Sequence, residues 1–379
     1  MLWALAGVLG CLLAGSLAYC LLSILAARDY LRVIPPAAEA CPPVSVLKPL
    51  SGADDGLEEN LRSFFEQDYP AFEILFAVRR GDDPAVPVVM QLQREYKGVD
   101  SQLIVTGDPP YPNAKVYSLE RMAQAARFEL LAMSDSDIRV ERDFLRRAVA
   151  EFEDERTGVA SCPYRAVPGR SFWSLLEALG MNTEFLSGVL TARWLEGMKF
   201  ALGPTIIARR QAMEAIGGFG RLKDYLAEDF VLGKLAAEAG WKVILSRCVI
   251  EHRIGAQDFR RNVAHRLRWF RSTRRSRPAG YAGQVFTHPI PLGLLLAAVW
   301  PSGWTSAAVA LAAAMRAASA WSAAGWVLAD PLTARYWYLL PLQDGLSFLF
   351  WLAGFFGDTI VWRGRKYRLR RDGTFEALG

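Results

Sequence analysis

Histidine and cysteine are scarce in this chain. Three histidines in 379 residues leave no room for a histidine-rich metal centre. The five cysteines (Cys11, Cys20, Cys41, Cys162 and Cys248) show no CxxC spacing, and the first two lie inside an apolar run. Neither a disulfide framework nor a zinc site is expected, so any metal must be held by carboxylates. Charge is thin as well, at 22% of residues against 52% hydrophobic, with a net charge of +5. This balance excludes a disordered chain and a coiled coil, and the gathering of charges in the middle excludes a fully embedded transporter bundle. Internal repeats and low-complexity segments are also missing. What remains is a soluble body flanked by membrane segments, in a chain longer than one ordinary domain.

The basic residues are unevenly placed, with arginines crowded at 260–277 and 363–371. Such clusters suit phosphates or anionic headgroups. Neither has the aromatic-glycine pattern of an RNA module or the spacing of a zinc finger, so nucleic acid is not an expected partner. From Leu2 to Ala27 the sequence is apolar and uncharged, long enough to cross a hydrocarbon core of about 30 Å. No basic stretch precedes it, which favours a retained anchor over a cleaved signal peptide. Arg28 and Arg32 follow directly and predict a cytoplasmic middle, in a bacterial case at the inner membrane. Beyond Thr287 the chain is apolar again, and 336–362 forms a further stretch, allowing two or three more crossings. Pro289, Pro291 and Pro301 predict that the first of these pieces is short and broken, interfacial or re-entrant. The expected organisation is an anchor at 1–28, a catalytic body at 40–280, membrane segments at 287–362 and a basic tail at 363–379.

Within the body, VSVLKPL, FEILFAV, QLIVTG, ELLAMSD and GVASCPY are short β-rich runs, each followed by helix-like sequence. The alternation predicts an α/β fold with a mostly parallel sheet, whose ligands bind beyond the carboxyl ends of the strands. Four polar features are candidates, the first two directly after such runs. Asp83, in the loop after FEILFAV, is either a helix-starting residue or a contact to a nucleotide. Asp135 and Asp137, separated by Ser136 after ELLAM, form either a turn or a pair of ligands for Mg²⁺ or Mn²⁺ that would also hold a diphosphate. Glu228 and Asp229 open a helix, where acidic residues complement the macrodipole or one of them serves as a general base. His265, Arg268 and Trp269 lie in HRLRWF on a basic helix expected over 258–274. That helix either meets anionic lipid headgroups or uses Arg268 on a diphosphate and Trp269 as the wall of a sugar or acceptor site. Lys115, in PNAKV, is a further phosphate candidate.

Taken in order, DDP, DSD, ED and the RW pair resemble the D, DxD, D and QxxRW signatures of membrane glycosyltransferases with a GT-A fold. VSVLKPLSG, FFEQDYP, LAEDF and WRGRKYRLRRDGT extend the resemblance to the ceramide glucosyltransferase family over nearly the whole chain. NAKV, GMNTEF and RSTRRSRPAGY look closer to a related branch, the bacterial hopanoid-biosynthesis glycosyltransferases. The resemblance implies inverting transfer of a sugar from a UDP-sugar to a hydroxyl of a membrane lipid, ceramide or hopanoid, at the cytoplasmic face. UDP-glucose or UDP-N-acetylglucosamine would be the donor. It further implies that Asp83, Arg268 and Trp269 bind the nucleotide sugar, where Lys115 is expected from its own placement to join them, that Asp135 and Asp137 hold the metal and diphosphate, and that Asp229 is the base. His265 stands where the family has Gln or Arg, and 181–185 lacks the histidine of animal relatives. A processive polysaccharide synthase needs more crossings, a polyprenyl-phosphate transferase needs no strong base, and a catalytically silent scaffold would have no use for the retained carboxylates.

Overall fold

The computed structural model describes residues 2–37, 41–362 and 365–378. Ala40, where the expected body begins, and Arg363 and Gly364 of the expected basic tail lie outside the described residues. The chain divides into a helical unit (1–33, 168–197 and 256–369) and a sheet unit (34–167, 198–255 and 370–379). The stretches 168–197 and 256–280 therefore group with the apolar helices.

The sheet unit carries the expected α/β architecture. Its main sheet is built from β1 (Val44–Pro49), β2 (Phe72–Val78), β3 (Asp100–Val105), β4 (Leu130–Ser134), β6 (Thr157–Ser161), β8 (Thr205–Arg209) and β9 (Lys242–Leu245), in the order β3-β2-β1-β4-β8-β6-β9. A smaller sheet joins β5 (Ile138–Arg139), β10 (Ile250–Ile254) and β7 (Tyr164–Pro168). In the main sheet β1, β2, β3 and β4 run parallel, β6 and β9 run parallel, and β8 alone is antiparallel to its neighbours. All five residues of β4 are buried, as expected of a strand covered on both faces. The core joins Leu47, Leu75 and Met133 of the strands to Val116 and Leu232 of two covering helices. One of these helices, Glu228–Glu238, lies so close to the 200–201 backbone that a Cβ on Gly233 would sit 2.3 Å from the nitrogen of Ala201. Residues 370–378 complete the unit: Phe375 is buried, its N–H donates to the carbonyl of Asp224 at 2.9 Å, and Thr374 bridges to Tyr225.

In the helical unit, Leu2–Arg32 and Gly303–Val327 are long and apolar enough to cross a membrane. Pro278–Thr287 and Pro289–Val299 form a pair bent by 65°, as the prolines predicted, and count as a third span only if taken together. The last apolar stretch departs from expectation. It holds the 15-residue helix Leu340–Gly354, about 22 Å at 1.5 Å per residue and short of a crossing, and then turns into the strand Thr359–Trp362. A buried ion pair joins two of these helices. Arg316 donates through Nε and Nη2 to the two oxygens of Asp344 at 2.8 and 2.9 Å, and also to Oγ1 of Thr183 at 3.0 Å.

Candidate active site

Strand β4 runs directly into Asp135, Ser136 and Asp137, at the carboxyl end of the parallel strands. Lys48, near the end of neighbouring β1, fixes this turn from below. Its side chain is fully buried 3.9 Å from the ring centre of Phe64, and Nζ donates to the carbonyl of Asp135 at 2.5 Å and to Oγ of Ser134 at 3.3 Å. The hydroxyl of Ser136 donates to Asp54 at 2.7 Å, and Nδ2 of Asn60 donates to the carbonyl of Ser136. One oxygen of Asp137 meets Nε2 of His252 on β10 at 3.1 Å. The other oxygen is buried with no hydrogen-bond partner among the described residues.

A second set of groups arrives from two helix starts. Asn113, fully buried, caps the helix Ala114–Ala125 by accepting from the N–H of Val116, and its Nδ2 donates to the carbonyl of Tyr225 at 2.9 Å. One amide thus ties the start of the Lys115 helix to the loop leading into Glu228–Glu238. Nζ of Lys115 lies 2.7 Å from Oδ1 of Asp135 and 3.3 Å from Oε1 of Glu228, and 3.4 Å from the carbonyl of Gly203. Gly203 leaves the space that Asp229 fills, since a Cβ there would sit 2.8 Å from Oδ2 of Asp229. Lys115, Asp135, Gly203, Glu228 and Asp229 line one cavity of about 20 Å³.

The charges explain the protonation behaviour. Burial, and then the nearby Glu228, push the Asp229 carboxyl up to about 6. Burial likewise raises Asp135 against the pull of Lys115, with Asp137 adding to the rise. For Asp137, burial is outweighed by His252 and Lys48, which hold it below the usual carboxylate range. Burial lowers Lys48 to about 7 despite Asp135 and Asp137. It also opposes the charge on Lys115, but Asp135 and Glu228 more than offset it and hold the ammonium above its ordinary range. Acidic side chains (Asp135, Asp137, Glu228, Asp229) thus outnumber basic ones (Lys48, Lys115) around this turn and cavity, an excess of acidic groups. A divalent cation would balance that excess, and the unpartnered oxygen of Asp137 is a hard ligand of the kind Mg²⁺ and Mn²⁺ prefer. Among the described residues no group of three or more His, Cys, Asp or Glu is arranged to hold a metal by itself. A cation bound there would need further ligands from outside these side chains.

The other expected residues are placed differently. Asp83 lies in the sheet unit, where its carboxylate accepts from the N–H of Gly52 at 3.0 Å and of Ala85 at 2.9 Å and so starts the helix Ala85–Glu95. His265, Arg268 and Trp269 lie in the helical unit on Phe259–Ser276, whose first turn Asp258 caps. Nδ1 of His265 is 2.5 Å from the buried Glu177, and its ring centre is 5.1 Å from that of Trp269. On the same helix Arg271 donates to the carbonyls of Phe356 and Thr359, while Arg274 donates to those of Phe355 and Gly357. These guanidinium groups serve carbonyls just past the helix Leu340–Gly354, where intrahelical donors run out, and one at the start of the following strand. Sequence reasoning passed over Lys48, Asn113, Gly203 and His252. A lone lysine in an apolar strand and one of only three histidines were the available signals.

The sequence model of glycosyl transferase family 21 matches residues 8–375. Ceramide glucosyltransferase 1 of Caenorhabditis elegans is 30% identical over 207 residues, which is 54% of this chain and 44% of that protein. The ceramide glucosyltransferase of Komagataella phaffii is 36% identical over 121 residues, 31% of this chain and 23% of that one. The chain thus spans less than half the length of these curated relatives. Among solved structures, the mannosyltransferase PcManGT from Pyrobaculum calidifontis, in complex with GDP-Man and Mn²⁺, superposes with a TM-score of 0.54 at 22% identity, covering 93% of this chain and 99% of that one. The similarity is one of fold.

Proposed function

The chain belongs to glycosyl transferase family 21, and on that premise we propose that it transfers a hexose from UDP-glucose or UDP-N-acetylglucosamine to a hydroxyl of a membrane lipid. Transfer is nonprocessive and inverting, at the cytoplasmic face, with ceramide or a hopanoid polyol as acceptor. The observation that carries this reading is Asp229: a half-buried carboxyl, held up to about 6 and facing the cavity that Lys115 and Asp135 also line. A group poised there can accept the proton of an attacking hydroxyl near neutral pH.

In this reading Asp229 takes the acceptor proton as the new glycosidic bond forms on the opposite face from the departing UDP. Lys115 is withdrawn from Asp135 and Glu228 toward the diphosphate, leaving the carboxylates to the metal and to the acceptor. Asp135 and Asp137 would hold Mg²⁺ or Mn²⁺, which supplies charge to offset the developing negative charge on the leaving diphosphate. Lys48 keeps the turn carrying both carboxylates in place, and Asp83 contacts the nucleotide. Arg268 and Trp269 are proposed as donor-binding residues on the family resemblance alone; on their helix His265 is held by Glu177 with its ring centre 5.1 Å from that of Trp269. The surplus of acidic over basic side chains around the site and the unpartnered oxygen of Asp137 support this assignment. The direct test incubates the full chain in lipid nanodiscs with each UDP-sugar and extracted membrane lipids, reading UDP release and the mass of the product lipid. A lipid heavier by one hexose or N-acetylhexosamine is expected, and UDP release without any glycosylated lipid would refute the proposal.

A further inference from the structure

Polar side chains gather inside the helical unit, where its sequence is otherwise most apolar. The helix Phe172–Gly180 widens into a π-helical turn over Met181–Phe185 before continuing as Leu186–Glu196. Such turns recur at functional sites. This one buries Asn182 and Thr183 completely and brings Glu184 to the ring of polar groups described next. A Cβ on Gly180 would lie 2.6 Å from Nε2 of Gln343, so the glycine lets Gln343 come close. Nε2 of Gln343 donates to one oxygen of Glu184 at 3.3 Å, and its Oε1 accepts from Arg266 at 2.9 Å. The hydroxyl of Thr287 donates to the other oxygen of Glu184 at 3.2 Å. His288 follows at the bend of the broken helix pair, fully buried, with Nε2 3.9 Å from Glu184, beyond hydrogen-bond reach.

Neither ring nitrogen of His288 has a hydrogen-bond partner among the described residues. The same holds for the buried Oγ of Ser187, three residues past Glu184, and for Oε1 of Gln284, four residues before His288. Unmatched polar atoms are costly anywhere and more so among membrane-spanning helices, and several within about one helical turn of Glu184 or His288 along the chain mark a place built for something other than stability. Its chemistry is selective. Glu184 repels anions, while the nearby cations Arg266 and Arg316 are engaged by Gln343 and Asp344. Imidazole, hydroxyl and amide together call for a neutral partner that both donates and accepts. The rings of Phe348 and Trp351, 5.5 and 6.0 Å from that of His288, offer an apolar wall beside it.

We propose that Glu184, Ser187, Gln284 and His288 form the headgroup site of the acceptor, selecting a neutral lipid whose reacting hydroxyl has a second hydroxyl or an amide beside it. This rests on the reading that the acceptor is a lipid. The test uses the full chain in nanodiscs with saturating UDP-sugar. One arm compares a short-chain N-acylsphingosine with its 3-O-methyl ether, and a second compares a bacteriohopanepolyol with its form methylated beside the reacting hydroxyl. In at least one arm, methylation should raise the acceptor KM of the wild type about tenfold, the scale of one hydrogen bond to a charged group. Glu184→Gln, or the milder Ser187→Ala should the first not fold, should raise the acceptor KM by a similar factor with the donor KM moving less than twofold. On the variant, methylation should then cost nothing further, and the arm in which this happens names the lipid. If the two factors multiply in both arms, or if polyprenyl phosphate is accepted as readily, the assignment is wrong. If the wild type glycosylates none of these lipids, the lipid-acceptor reading itself fails and takes this site with it.

Discussion

Replacing Gly203 with alanine should separate catalysis from stability. The added methyl would lie 2.8 Å from Oδ2 of Asp229 and 3.3 Å from its Cγ. An ordinary contact is about 3.4 Å, so one partner must yield by roughly 0.6 Å. The near atom is the tip of a side chain, which can rotate, and a rotation of about 30° costs roughly 0.5–1.5 kcal/mol. The fold should therefore lose only about that much. The base, however, is displaced by a large fraction of an ångström, and misplacement on that scale costs on the order of 10- to 100-fold in rate, about 1.4–2.7 kcal/mol of barrier. Steady-state transfer assays should show kcat lowered by that factor with the KM for UDP-sugar nearly unchanged, and thermal unfolding shifted by a few degrees at most. A variant with wild-type kcat would show that Asp229 is not held in its working position by the bare backbone at 203. A parallel loss of UDP binding would show instead that the methyl disturbs the donor site.

Asp135→Asn, or excess chelator on the wild type, should abolish transfer and weaken calorimetric binding of UDP together, because the same carboxylate serves cation and diphosphate; full turnover in chelator would exclude the metal. Asp229→Asn should lower kcat roughly 10²-fold while UDP still binds. A base works only unprotonated, so a carboxyl raised from its usual value to about 6 predicts that kcat/KM falls tenfold per pH unit below about 6. That limb should be missing from the residual activity of Asp229→Asn. Lys48→Met should lower the unfolding temperature, since it strips the nearby carboxylates of a cation and leaves the carbonyl of Asp135 without its donor, and should cut activity about tenfold by releasing that turn. A stable variant at full rate would free Lys48 from that role.

Much of this molecule is legible in its sequence because the decisive signals are local. The apolar runs at 44–49, 72–78 and 130–134 could only be buried strands, and strand ends followed by Asp-Ser-Asp or by a helix opening with Glu-Asp announce themselves. What escaped is set by approach in space. Gly203 matters through the carboxylate beside it, and Asn113 because a helix cap also reaches a loop more than a hundred residues away. The arginines of Phe259–Ser276 looked like phosphate ligands, but the carbonyls that Arg271 and Arg274 bond come from a helix end no periodicity could place there. The apolar run at 336–362 illustrates the opposite error: composition suggested a crossing, while Pro341 and the shift into a strand shortened the helix.

The return of residues 370–378 to the sheet unit has a consequence for biosynthesis. The loop that feeds Glu228 and Asp229 is bonded at Asp224 and Tyr225 to Phe375 and Thr374. The ribosome delivers these two sides far apart in time. Between residue 255, where the middle segment of the unit ends, and residue 375 lie 120 residues, about 6–24 s of synthesis at roughly 5–20 residues per second. During that interval the apolar helices of 278–327 emerge and can enter the bilayer while the Asp224 side of the loop still lacks its last strand. A nascent chain arrested before residue 370 should therefore resemble the mature unit everywhere except at this loop. Catalytic competence would thus arrive last, once the transmembrane helices are already in place.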